Sequence, residues 1–200
     1  KLESEAFLVS SDELWELDKK RLTVYFDPGR IKRGIEPNLQ LGLPLVEGYR
    51  YKLHIDKTWL DINGAQLLEG YEKVFEVIAV DRTAPNKEQW KISLPKSKTI
   101  EPIIIDFKES MDYGLMQNSI TIVDKNNRSV KGKVQLYNQE SVWKFIPEKN
   151  WTEGDYSIVI DAWLEDLAGN SLRRKFDRNL KDPKDDPINI NEEIIPFELK

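Results

Sequence analysis

The sequence predicts an all-β chain of two antiparallel sandwiches in tandem, the first incomplete at its N-terminal side. Three observations carry that reading. The stretch EGDYSIVIDAWLEDLAGNSL, Glu153 to Leu172, has an echo in EGYRYKLHIDKTWLDINGAQL, Glu47 to Leu67. From Trp90 onward, short alternating apolar runs recur at regular spacing between turn residues, as antiparallel sandwiches require. The 200 residues carry 40% hydrophobic and 10% aromatic side chains, enough for a core in each half.

Both copies of the repeat run Glu-Gly, a Tyr opening an alternating strand, an Asp, a Trp-Leu pair, then Asp-x-x-Gly and a Leu. A pattern that specific argues for a duplicated unit. Tyr156, Ile158 and Ile160 share one strand face, as do Tyr51, Leu53 and Ile55 in the earlier copy. Gly48 and Gly154 mark the turn before the strand. Asp61 to Gly64 and Asp166 to Gly169 read as Asx turns after it. A Tyr that opens a strand just after a turn resembles the tyrosine corner of immunoglobulin-like sandwiches, which gives Tyr51 and Tyr156 structural roles.

In chain order, Phe7 to Val9 is a short apolar run, and Ser10 to Trp15 reads as a turn or a single helical turn. Leu22 to Phe26 is a strand that stops at Asp27-Pro28-Gly29. Its counterpart is Val142 to Pro147, which aligns Phe26 with Phe145 and Pro28 with Pro147. From Pro to the repeat's Gly is 20 positions in the first half and 7 in the second, so the first unit carries an insertion of 13 within residues 29–46. Glu72 to Val80 is a further strand. The second half predicts strands at Trp90–Leu94, Ile103–Phe107, Ser119–Val123, Val130–Tyr137, Val142–Ile146, Tyr156–Asp161 and Arg173–Phe176, with a helical turn at Asp112–Gln117. After the connector Asp182 to Pro187, Ile194 to Leu199 is a last strand, confined to an edge by Pro196. The domain division expected is 1–82, 83–180 and a tail, 181–200.

A more specific resemblance rests on Phe107 with Met111, Asn118-Ser119-Ile120, Phe145 with Pro147, Gly154 with Tyr156, and Asp166 with Gly169-Asn170. Together they resemble the bacterial Ig-like domain of the S-layer-protein type. The resemblance covers about three-quarters of the second unit but only the back half of the first, where Ala65 stands in the Asn position. It implies tandem Ig-like units in a non-enzymatic envelope or secreted module, at the cell surface, in the periplasm or outside the cell. Its role would be structural, adhesive or partner-binding. The alternative is a carbohydrate-binding or accessory domain of a larger secreted enzyme, which needs two or more exposed Trp or Tyr on one surface.

Composition narrows the chemistry. A net charge of −5 gives nucleic acid no general attraction. The chain has no cysteine and one histidine, which leaves no disulfide and argues against zinc. His54 falls on the outer strand face, and no phosphate loop, HExxH or Gly-x-Ser-x-Gly occurs, so no catalytic residue and no cofactor are assigned. Asp161, Asp166 and Asn170 are candidate calcium ligands through oxygen, against a plainer role in capping turns. Arg30, Lys32 and Arg33 in the insertion are candidate binders of carboxylate or phosphate, set against pairing with the chain's own acids. Six Trp invite sugar stacking, but Trp59 and Trp163 recur at equivalent positions and Trp143 shares a face with Phe145, which suits packing. The expected partners are a protein or an envelope glycan. No apolar run reaches ~18 residues, so no transmembrane segment is expected.

The chain opens without an initiator Met or signal peptide and reads as a trimmed form of something longer. The front of the first unit supplies few strands. The tail is therefore expected to fold back on it, or another copy or an upstream segment to complete it.

Overall fold

The computed structural model describes residues 6–8, 14–15, 22–61 and 63–200. The chain divides into two compact units, Lys1–Val80 and Asp81–Lys200.

In the first unit, β1 (Leu14–Trp15) pairs antiparallel with β2 (Leu22–Thr23), and Phe7 bridges Phe26 with the two rings stacked at 5.1 Å. Leu14 and Trp15 are thus in a strand, not the predicted turn; Ser10 to Glu13 and Val9 lie outside the described residues. The insertion folds into two short helices, α1 (Pro28–Ile31) and α2 (Glu36–Leu41). Asp27 caps α1 by accepting from the Gly29 N–H at 2.8 Å, and Pro28 sits in the first turn, where no N–H is missed. A hairpin follows: β3 (Arg50–Ile55) pairs along its whole length with β4 (Tyr71–Glu76). Strand alternation half-buries Tyr51, Leu53 and Ile55 and leaves Arg50, Lys52 and His54 exposed.

The second unit is a seven-stranded sandwich. One sheet has the order β5 (Lys91–Ser93), β6 (Ile103–Asp106), β9 (Val142–Pro147) and β8 (Gly132–Tyr137). The other has β11 (Glu192–Leu199), β10 (Gly154–Asp161) and β7 (Ile120–Asp124). All pairs are antiparallel. Lettered A to G in chain order, the sheets are ABED and GFC, the constant-type immunoglobulin arrangement. Between β6 and β7 lies α3 (Tyr113–Met116), capped by Asp112, at the predicted helical turn.

Alternation builds the core. Ile103 and Ile105 from β6, Trp143 and Phe145 from β9, and Tyr156, Ile158 and Ile160 from β10 are buried against one another. Gly132 opposes the end of β9 because a Cβ there would collide with the Phe145 ring and the Ile146 carbonyl.

Three sequence expectations need correction. Arg173–Phe176 is not a strand: the Ser171 N–H donates to the Arg174 carbonyl at 2.8 Å and Asn170 Oδ1 accepts from the Phe176 N–H at 3.0 Å, which curls the segment into a turn. The seventh strand is the tail, β11, which pairs with β10 from Gly154↔Leu199 to Asp161↔Glu192. The tail therefore does not fold back on the first unit, because β10 supplies it with a full-length edge. Finally, Trp59 and Trp163 are not core residues; they are 39% and 42% exposed. Ala162 and Leu164, on either side of Trp163, point inward instead, and the Arg173 and Arg174 guanidinium groups lie 5.0 and 5.1 Å from its ring centre.

Candidate functional site

The polar residues that recur in the sequence meet backbone groups. Tyr156 Oη lies 3.2 Å from the Thr152 carbonyl and accepts from the Thr152 N–H at 3.3 Å. Tyr51 Oη accepts from the Val46 N–H at 2.9 Å. Each hydroxyl thus reaches the residue two before the repeat's Gly, and the extra residue of the first copy is absorbed between Gly and Tyr. Each ring also stacks on a Phe directly across the hairpin, Tyr51 on Phe75 at 6.0 Å and Tyr156 on Phe197 at 5.6 Å. Trp151 abuts Tyr156 edge-on and donates its indole N–H to the Glu101 carbonyl at 2.8 Å.

The Asp-x-x-Gly turns share one geometry. Asp61 and Asp166 each accept through Oδ1 from the N–H groups two and four residues on. The Gly between them adopts φ 82° or 80°, where a side chain is costly. Asp124 builds the same loop, with Asn127 at φ 60° in the Gly position. This third occurrence falls outside the repeat, so the turn by itself is not a sign of duplication; the corner and its stacked Phe are more specific.

The candidate calcium ligands do not converge as the sequence suggested. Asp161 is exposed, and its Oδ1 caps the Trp163 N–H at 2.9 Å. Asn170 is buried, donating to Asp166 Oδ2 at 2.9 Å and accepting from Phe176. The structure instead gathers Asp166 with Asp81 and Glu109, whose carboxylate oxygens lie within 4.8 Å of one another. The connection from β6 to β7 carries Glu109 there, held by the bridge between Met111 and Asp166 and by the Leu167 N–H donating to the Ser110 carbonyl at 3.3 Å. Asp81 is fixed by accepting from the Thr83 N–H at 2.8 Å. Burial, aided by the charges of Asp166 and Asp81, pushes Glu109 up to about 7. Burial also raises Asp166 against the pull of its Asn170 and Ala168 hydrogen bonds. This arrangement favours a proton held on Glu109, or a cation among the oxygens, over full ionisation of Glu109 and Asp166. Asp81 and Glu109 were missed because they stand far from Asp166 in sequence; no spacing announces the cluster.

Of the three basic residues of the insertion, one is turned into the fold. Arg30 is 4% exposed; its Nε donates to the Gly42 carbonyl at 3.2 Å, and its Nη2 to those of Leu41 and Leu43 at 3.3 and 3.2 Å. The guanidinium fork therefore closes the C-terminal end of α2, where a cation is favourable. Asn38 returns a bond to the Arg30 carbonyl at 2.6 Å. Lys32 is half-buried and Arg33 exposed. His54 sits on the outer face of β3, 3.2 Å from Glu72, as alternation predicts. At the other end of β10 from the carboxylates, a shallow groove of about 370 Å³ opens beside Tyr156, Phe197 and Pro196.

Among known families, the bacterial Ig-like domain matches residues 76–179, just over half the chain. The chain belongs to that family. The match covers β5 to β10 and stops short of β11, which completes the sandwich from beyond it. No curated protein and no solved structure matches the chain. The bacterial Ig-like family is one of non-catalytic modules typical of surface or secreted proteins.

Proposed function

We propose that the chain is a non-enzymatic module of the bacterial cell surface, periplasm or secreted space, of the S-layer-protein type, in which two Ig-like units stand in tandem and position or bind a protein or envelope glycan. The tandem division runs near residues 82 and 83, and the first unit keeps only the back half of the pattern. The observation that carries this reading is the pair of tyrosine corners, each bonded two residues before its Gly and stacked on a cross-hairpin Phe. Family membership supports the non-catalytic part. So does the engagement of the recurring Asp and Tyr groups with backbone turns. The sugar-platform alternative is not favoured, since the exposed Trp163 ring is already overlain by Arg173 and Arg174. No helix among the described residues is long and apolar enough to cross a membrane.

Protease shaving of intact cells that express the complete encoded protein tests the location. Cleavage within these residues without lysis is the expected result. Full protection in intact cells and in cells with a permeabilised outer layer, with recovery in the cytosolic fraction, would overturn the reading.

A further inference from the structure

We propose that β3 of the first unit is a self-complementary edge, taken up by the β3 of a second copy of this chain. The second unit shows what such an edge accepts. There β10 has β11 on one side and β7 on the other, antiparallel, with Ile158 opposite Ile122 and Ile160 opposite Ile120. In the first unit β3 has β4 on one side, and among the described residues no strand lies on its other side. Tyr51, Leu53 and Ile55 are half-buried, where Tyr156, Ile158 and Ile160, which also have a second sheet packed on their face, are 9%, 0% and 0% exposed. The strand that fits is antiparallel and carries apolar residues at alternate positions.

The sequence of β3 meets that description, and charge selects one register. With Leu53 on the two-fold axis, Leu53 faces Leu53 of the second copy and Tyr51 faces its Ile55. On the outer face Arg50, which pairs with Glu76 at 3.3 Å in its own copy, then comes opposite Asp56, the residue just past the strand's end, and Lys52, paired with Glu72 at 2.9 Å, comes opposite His54. Sliding to put Lys52 on the axis sets two ammonium groups against each other; sliding the other way puts Tyr51 against Lys57. The contact is isologous, so it closes at two copies and leaves no further β3 edge to propagate. The outer edges, β4 in each copy, carry Glu72, Lys73 and Glu76, charges that discourage further pairing.

This inference rests on the proposed equivalence of β3 with β10. The chain has no cysteine, so single cysteines report cleanly. Leu53→Cys would place two thiols across the axis at about the separation a disulfide spans. Val74→Cys, exposed on the outer face of β4, is the control. The expected results are a wild-type mass rising from 23.4 kDa toward twice that between roughly micromolar and hundreds of micromolar protein, and oxidative cross-linking far faster at position 53 than at 74. A chain that stays monomeric throughout, or equal cross-linking at the two positions, overturns the proposal, as does occupancy of β3 by a strand of another protein with no self-association. The equivalence itself is read separately, from Tyr51→Ala, which should lower the first unit's melting midpoint by several degrees through loss of both the Phe75 stack and the Val46 bond; an unmoved midpoint sinks the equivalence. Its failure leaves the cross-linking result to be judged on its own.

Discussion

The hairpins β3–β4 and β10–β11 use the same devices and end in different states. Each opens with a Tyr whose hydroxyl secures the preceding turn, and each stacks that ring on a Phe of the next strand. Around β10–β11 five further strands close a core in which Ile158, Ile160 and Trp143 are fully buried. Around β3–β4 the described residues add only the short β1–β2 pair and the helices α1 and α2, and among them Ala6 and Arg30 are the buried ones. Where β11 puts Ile195 opposite Ile158, β4 puts Lys73 opposite Leu53. Local chemistry can specify a hairpin; burial needs the strands on its other face and edge.

The largest effect expected from this contrast follows deletion of residues 188–200. Loss of β11 strips a whole edge from β10 and removes Phe197 and the buried Leu199, so the unfolding transition of the second unit should collapse. The first unit's transition should stay where it is. A calorimetric trace in which the first unit falls instead would reassign the tail. Next, Ile158→Ala should cost about 3–4 kcal/mol, and its counterpart Leu53→Ala about 1 kcal/mol when measured on dilute monomer. Equal costs in chemical denaturation would mean that both units have closed cores. Tyr156→Phe should cost about 1–2 kcal/mol by losing a partly buried hydrogen bond, and Tyr51→Phe, whose bond is exposed, under about 0.5 kcal/mol. A change within roughly ±0.3 kcal/mol for Tyr156→Phe would remove the corner as an explanation.

The carboxylate cluster gives a smaller effect with a definite sign. Glu109 is raised from 4.5 to about 7 in the folded chain, so its protonated form is the one the fold prefers. Its contribution is fully present below about pH 4.5 and is lost as pH rises through 7. Glu109→Gln should therefore stabilise the second unit at pH 8 by about 1 kcal/mol, allowing for its partial solvation, and should flatten the dependence between pH 5 and 8. A variant with an unchanged pH profile would show that burial and the neighbouring carboxylates do not raise Glu109. We propose proton sharing over calcium at this cluster, so a chelator should leave the melting midpoint unmoved; a drop of several degrees would assign the cluster to a cation.

Most of the fold is legible in the sequence because alternation and turn chemistry are local. The six strands from β5 to β10 fall at the predicted runs, and Asp112 caps a helical turn where one was expected. The tail is legible as a strand, but whether it, another copy or an upstream segment completes the first unit is not, since period-2 alternation says which face is apolar and nothing about which edge receives it. The Trp-Leu repeat misleads because recurrence suggests packing, whereas the alternation of β10 continues past Asp161 and keeps Ala162 and Leu164 in and Trp163 out. At the candidate site, Asp166 was visible as a turn residue, but its neighbours Asp81 and Glu109 are brought to it by the sandwich. Arg30 looked like a recognition group because sequence records its charge and not the three carbonyls that it closes over.

The contrast between a closed and an open unit is tested most directly by hydrogen exchange on the amides of β3 and β10, followed in protein dilute enough to be monomeric. In β10, flanked on both sides, every amide of the strand should be protected close to the unit's global stability. In β3 protection should alternate, with slow amides pointing at β4 and fast ones at the open edge. Uniform protection of β3 equal to that of β10 would mean that the first unit is closed within one chain, and would contradict the account.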